Sequence, residues 1–265
     1  MTTSDAPLRL RIRLFAMQRE LAGTRELSVD VMPGATVEDA WAAAVALVPG
    51  LAPGRSSVRF AVNGRYADAG TALADGDEVA CIPPVSGGSG ELEASDAAPP
   101  APLRRRVLEI REEPLHPGLV TELSGRVATD EDGGVVAFLG RVRVTPGTPA
   151  RGEEAEAARH ADRRVEGLEY EAFEPMALDV LAQIADEVEA RWDVRGIAIV
   201  HRVGPVPLGE ASVVVVAAAP HRDSAFAAAR YAIDETKARA PIWKAERFAD
   251  GHVWIGDPAR DGPIG

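Results

Sequence analysis

Pro83-Pro84-Val85-Ser86-Gly87-Gly88 divides the chain, and its reading decides the fold on both sides of it. Two prolines hold the segment extended and withhold two backbone donors, which keeps it out of the middle of a sheet. Two glycines without Cβ atoms make its end thin enough to enter a narrow cleft. Fully extended, the segment reaches roughly 20 Å at about 3.3–3.6 Å per residue. A thin arm on a compact body suits delivery of a terminal group into another active site. Gly87-Gly88-Ser89-Gly90 also reads as an ordinary flexible linker. The flanks must choose between the two.

Upstream, Leu8, Leu10, Ile12 and Leu14 alternate with Arg9, Arg11 and Arg13, the period of a half-buried strand. Leu27, Val29 and Val31 repeat it. Pro33-Gly34 makes a turn, and Thr36 with Asp39 three residues on forms a variant capping box. Val37, Ala40, Trp41, Ala44, Val45 and Val48 then follow at helical spacing until Pro49-Gly50 stops the helix. Val58 to Val62, turns at Asn63-Gly64 and Asp75-Gly76, and a short strand from Glu78 to Ile82 complete the unit. Two strands, a helix and further short strands are the order of a β-grasp, or ubiquitin-like, fold.

Downstream, Ser89 to Arg105 is built of small residues and prolines without apolar periodicity, a solvated tether open to proteolysis. A second unit follows over residues 106–265. Strands are predicted at Val107 to Ile110, Gly134 to Arg143 (a buried strand, from the run Val135 to Leu139), Gly167 to Phe173, Ile197 to Val203 and Ser212 to Ala217. Two more are predicted at Ile242 to Phe248 and His252 to Ile255. Helices are predicted around Leu119 to Val127, from Pro175 to Trp192, and from Ser224 to Arg239. Residues 145–166 form a long polar excursion, read as a surface loop. The whole is α+β, with a mostly antiparallel sheet in the second unit.

A length of 265 residues accommodates one large or two modest domains. The net charge of −12 argues against bulk nucleic-acid binding, and no block of Lys or Arg suggests otherwise. An anion-binding protein of this charge must concentrate its cations locally. The one cysteine, Cys81, excludes a disulfide framework and a cysteine-rich metal site, and its apolar run makes it a buried small hydrophobe. There is no signal-peptide pattern and no run of about 18 apolar residues. The expectation is a cytoplasmic protein without membrane contact.

Cations gather in the second unit at Arg141 and Arg143 after a strand, at His221-Arg222 before a helix, at Lys237 near that helix's end, and at Lys244 beyond Pro241. At a helix N-terminus, free backbone N–H groups and the dipole favour an anion. Each of these cations also reads as a solvated surface charge. Lys237 and Lys244 straddle a proline and cannot share a helix face. They meet in one cleft only if the following strand folds back along the helix.

Residues 8–88, through Phe60 to Gly64, Leu73 to Val79 and Pro83 to Gly88, resemble the small, sulfur-carrying subunit of molybdopterin synthase. Residues 107–257, through Phe138 to Arg143, Leu168 to Glu171, His201 to Gly204, Pro220 to Phe226 and Lys237 to Lys244, resemble its large, catalytic subunit. The resemblance implies a β-grasp sulfur-carrier domain over 1–88, a flexible linker over 89–105, and a catalytic α/β-hammerhead-type domain over 106–265. It implies that Arg141, Val142, Arg143, His221, Arg222, Lys237, Lys244, Ala245 and Glu246 line a pterin pocket, with Lys237 catalytic. The insertion after Arg143 departs from the family's short polar loop and leaves the outer rim open.

The implied reaction is a sulfurtransferase step on cyclic pyranopterin monophosphate, giving the dithiolene of molybdopterin. Arg143, Arg222 and His221 would hold the phosphate. Lys237 would act as nucleophile or general acid/base, with Lys244 as the steady charge beside it. Sulfur would arrive as a thiocarboxylate on Gly88, one atom per delivery. It arrives reduced, so no metal or redox cofactor is expected.

In the family the last glycine is a chain terminus, whereas Gly88 here is bonded to Ser89. The expectation is cleavage behind Gly88 by a processing protease, followed by an adenylating and sulfurating enzyme acting on Gly88. The alternative is an uncleaved fusion that is regulatory or merely binds pterin; a carrier for thiamine or thiolation pathways would have no use for the second unit. The family's catalytic subunits pair, so a homodimer through the second unit is expected. The tether from Ser89 to Arg105 spans roughly 23 Å as a coil and at most about 60 Å extended, which leaves delivery in cis and in trans open.

Overall fold

The computed structural model describes residues 6–84, 105–146, 163–249 and 251–255. They fall into two compact units, one within 6–84 and the other within 105–255. The arm Val85 to Gly88, the tether and most of the polar excursion lie outside the described residues.

In the first unit β1 (Leu8–Leu14) and β2 (Glu26–Val31) pair antiparallel, with Leu10 opposite Val29 and Ile12 opposite Leu27. β3 (Arg59–Val62), β4 (Arg65–Ala67) and β5 (Glu78–Ile82) extend the sheet in the order β2-β1-β5-β3-β4, and β1 runs parallel to β5. This is a β-grasp sheet. Asn63 and Gly64 both take positive φ, 50° and 80°, the conformation a two-residue hairpin turn demands. Across the sheet lies the helix Val37–Leu47. Thr36 accepts from the Asp39 backbone N–H, and the Asp39 carboxylate accepts from the Thr36 N–H at 2.8 Å, so the capping box is complete. Its buried residues Val37, Ala40, Trp41 and Ala44 meet Leu10, Ile12, Phe60 and Val79. Cys81 is fully buried there, which pushes its thiol up to about 12. The sequence reading passed over a shorter helix, α1 (Ala16–Ala22), closed by Gly23 at φ 66°. The longer one is therefore α2.

In the second unit β6 (Arg105–Arg111), β7 (Gly134–Arg141), β9 (Gly196–Arg202) and β11 (Ala211–Ala219) form a sheet in the order β6-β9-β11-β7. Its pairs are antiparallel except β6 with β9. Every residue of β9 and β11 is buried because both faces are covered. Val214, Val216 and Ala218 meet α3 (Leu119–Val127) on one face. Val213, Val215, Ala217 and Ala219 meet α4 (Glu174–Arg191) and α5 (Arg222–Arg239) on the other. A further sheet, ordered β10-β8-β12-β13, joins β8 (Gly167–Ala172), β10 (Gly204–Pro207), β12 (Ile242–Phe248) and β13 (Gly251–Ile255). The sequence reading also lacked β10, whose Pro205 and Pro207 are tolerated because it is an edge strand.

One strand departs from expectation. β7 is the outer strand of its sheet rather than a buried one, with Val135 and Leu139 more than 40% exposed. An apolar run reports affinity for a sheet, and not whether a neighbour flanks it on both sides. Among the described residues no helix is long and apolar enough to cross a membrane.

Candidate active site

At the end of the second unit where β7, β9 and β11 meet the β8/β12 sheet, a cleft of about 480 Å³ opens. Its geometry begins with Pro241, which ends α5. The chain turns at once, with the Ile242 N–H donating to the Ala240 carbonyl at 2.7 Å and Pro241's carbonyl accepting from the Phe173 N–H at 3.0 Å. β12 then runs antiparallel to β8, setting Lys244 opposite Tyr170 and Glu246 opposite Leu168. Strand period two puts Ile242, Lys244 and Glu246 on the cleft side. On α5, helical spacing brings Ile233, Thr236 and Lys237 to the same cleft, and the Lys237 ammonium lies 5.7 Å from the Phe138 ring centroid. The two lysines therefore converge.

The last turn of α5 is anchored from behind. Arg239 donates to both Glu187 carboxylate oxygens, at 2.9 and 2.7 Å, and to Glu235 at 3.2 Å. The Tyr231 hydroxyl donates to Glu187 at 2.5 Å. Burial alone would raise the Glu187 carboxyl, but the Arg239 and Tyr231 hydrogen bonds outweigh it and hold it low. Burial and the Glu187 charge push Tyr231 up to about 12. A helix end pinned this way gives Lys237 a fixed root.

Arg141 and Arg143 border the cleft where β7 ends; Arg141 Nε donates to the Gly209 carbonyl at 2.7 Å, and Arg143 Nη2 to that of Pro146 at 3.2 Å. A register shift between Ala211 and Val213 re-aims Ser212 into the cleft, where it accepts from the Tyr170 hydroxyl at 3.3 Å. Burial raises the Tyr170 hydroxyl; the Ser212 bond opposes this and the Glu246 charge adds to it. Gly140 lies in the wall, where an added Cβ would stand 2.6 Å from Val213 Cγ1.

Four of the expected pocket residues lie elsewhere in this chain. Val142 and Ala245 sit between cleft residues in sequence, and strand alternation turns them away: Val142 joins Val165, Val206, Phe248 and Val253 in a small core, and Ala245 is fully buried. His221 and Arg222 are exposed at the other end of α5. There the Arg222 Cα is 3.1 Å from where Gly134 would carry a Cβ. From Arg222 to Lys237 the helix rises about 22 Å. Gly88 lies outside the described residues.

The sequence reading missed His201, Tyr170, Ser212 and Thr236, all of which line the cleft. His201 gave a signal: it ends the apolar run Ile197 to Val200 and by alternation shares the face of Ile197 and Ile199. Its ring meets Tyr170 edge-on at 4.9 Å, and its Nδ1 lies 2.8 Å from the Arg202 carbonyl oxygen. Burial pushes its protonation down to about 4, against the pull of that hydrogen bond and with help from the Lys237 charge.

Residues 110–239 match the family described as MoaE protein, and residues 12–88 match the ThiS family. The molybdopterin synthase catalytic subunit of Bacillus subtilis (strain 168) is 42% identical over 133 residues, covering 50% of this chain and 75% of that protein. Catalytic subunit 1 of Aedes aegypti is 41% identical over 133 residues, covering 50% and 77%. Among solved structures, molybdopterin synthase from Staphylococcus aureus aligns over 56% of this chain and 96% of its own, with 35% identity and a TM-score of 0.48.

Proposed function

The chain belongs to the molybdopterin synthase catalytic-subunit family through its second unit and carries a ThiS-family unit before it, and from that premise we propose that it transfers sulfur from its own carrier unit to cyclic pyranopterin monophosphate. The observation that carries the reading is the convergence of Lys237, Lys244, Arg141 and Arg143 on one cleft of a chain whose net charge is −12.

The cations at the mouth hold the phosphate, whose oxygens accept charge-assisted hydrogen bonds. Lys244 binds the same anion from the strand side. Lys237, at the edge of the cleft, acts on the carbon that receives sulfur, as nucleophile or as general acid/base. The thiocarboxylate sulfur of Gly88 bonds to that carbon as a carbon–oxygen bond there breaks, the oxygen staying on the phosphate as its ring opens or leaving as water. A further water cleaves the acyl–sulfur bond, and the carrier leaves as a carboxylate. A second carrier repeats the exchange of oxygen for sulfur at the neighbouring carbon to give the dithiolene. This chemistry needs Gly88 as a chain terminus, so cleavage by a protease and activation by an adenylating enzyme precede it. His221 and Arg222 reach such a cleft from a second copy of the chain, which a homodimer through this unit would supply.

The test is the intact mass of the protein purified from its native cell. The expected species is a fragment of residues 1–88 bearing sulfur in place of one terminal oxygen. Full-length chain alone, beside active cofactor synthesis, would overturn the cleavage step.

A further inference from the structure

We infer that His201 is a specificity-determining residue of the cleft, its Nε2 accepting a hydrogen bond from an N–H or O–H group of the bound pterin. The inference rests on the pterin reading above and adds to it the atom that reads the ligand's donor edge.

The geometry assigns the tautomer. The Arg202 carbonyl oxygen can only accept, so the His201 nitrogen 2.8 Å from it, Nδ1, carries the hydrogen. Nε2 is then left with a lone pair. The edge-on Tyr170 ring at 4.9 Å holds the imidazole plane, and Tyr170 is itself tied to Ser212. Nε2 has no hydrogen-bond partner among the described residues, yet it is not among the side-chain atoms shut away from solvent without one. In a residue only 7% exposed that borders the cleft, the open direction is the cleft itself. The ring's depressed protonation keeps Nε2 an acceptor at neutral pH.

The chemical setting gives that acceptor a purpose. Arg141, Arg143, Lys237 and Lys244 supply only donors, which suit an anion. Thr236 already donates its hydroxyl to the Ala232 carbonyl. A phosphate by itself has no use for a neutral imidazole lone pair. A ligand with an anionic end and a heterocycle bearing N–H groups uses both, and a site built to accept from such groups rejects analogues lacking them.

The test compares binding of cyclic pyranopterin monophosphate and of inorganic phosphate to the whole protein. His201→Phe keeps the ring volume and removes both nitrogens. Its Kd for the pterin should rise about tenfold or more, while its Kd for inorganic phosphate stays within about twofold of wild type, which also reports an intact cation cluster. His201→Gln, which can return an acceptor near Nε2, should recover part of the loss. In the unsubstituted protein, imidazole ¹⁵N spectra should show a protonated Nδ1 and a bare Nε2 whose resonance moves on pterin binding. Equal pterin affinity in wild type and His201→Phe would overturn the assignment alone, as would a protonated or unmoved Nε2. Failure of the wild type to bind pterin would overturn the proposed function and this assignment together.

Discussion

Among the described residues, the unit within 6–84 buries one polar side chain, Gln18, while the unit within 105–255 buries His201, Arg202, Ser212, Thr236 and Glu246. Burying a polar group costs free energy unless it is hydrogen-bonded. The second unit accepts that cost at one place, since four of those five line the cleft. Arg202, beside them, is held by Glu210 at 2.6 Å and the Pro205 carbonyl at 2.8 Å. The first unit instead spends its interior on apolar contact around Trp41 and Phe60. On the proposed function the first unit presents an arm and gains most from rigidity, whereas the second holds a ligand and must keep polar atoms out of water and ready. Substitutions should therefore separate activity from stability in the second unit and leave them joined in the first.

The largest separation is expected at Lys237. Lys237→Ala should lower product formation by at least about a hundredfold. Because the side chain is exposed, thermal unfolding should shift by no more than about 0.5 kcal/mol. Normal turnover would remove the contrast at its centre. In the first unit, Leu10→Ala should cost about 2–5 kcal/mol, read as a lower urea midpoint, because Leu10 is fully buried in the core. Gly140→Ala lies between these cases. Its new methyl meets Val213, so a cost of about 1–3 kcal/mol should accompany a loss of turnover as the cleft wall shifts.

Acid should also divide the units. The unfolded state protonates His201 near 6.5, and the folded state resists until about 4. Below 6.5 the unfolded chain therefore binds more protons, and this contribution to stability falls as pH drops from 6.5 towards 4. Residues 6–84 contain no histidine. Hydrogen exchange over that window should quicken in β9 and not in α2; equal quickening in both would contradict the division. The smallest effect belongs to Thr36→Ala, about 1 kcal/mol from the lost cap, measured by chemical denaturation. Hydrogen bonds from the Thr36 backbone and side chain hold the Asp39 carboxyl below its usual range. The capping contribution should accordingly persist to lower pH than an ordinary carboxylate would allow.

The same contrast governs what could be read before the fold was known. β1, β5 and the capped helix follow from alternation and capping, which are local, and β1 and β5 match residue for residue. α1 escaped because it is seven residues long and has no side-chain cap to announce it. β12 was equally legible, but the meeting of Lys237 with Lys244 depends on how the chain turns after Pro241, which no local pattern encodes. Val142 and Ala245 enter the expected pocket through the resemblance, as parts of contiguous blocks, and a contiguous block hides the alternation of a strand. His221 and Arg222 enter it the same way, and almost the whole of α5 separates them from Lys237 within one chain. His201 needed no contact map, only the period-two rule applied to the end of β9.

The corner at Pro241 has a consequence for how this protein can vary. One residue added between Pro241 and Lys244, with the pairing to β8 slipping to match, would swing Lys244 and Glu246 outward and present Trp243 and Ala245 to the ligand. Such a change would take Lys244 out of the cleft without altering a single charged residue, leaving Arg141, Arg143 and Lys237 without its charge beside them. Here spacing matters as well as chemistry: the corner should tolerate substitutions that preserve its bend better than a change of length.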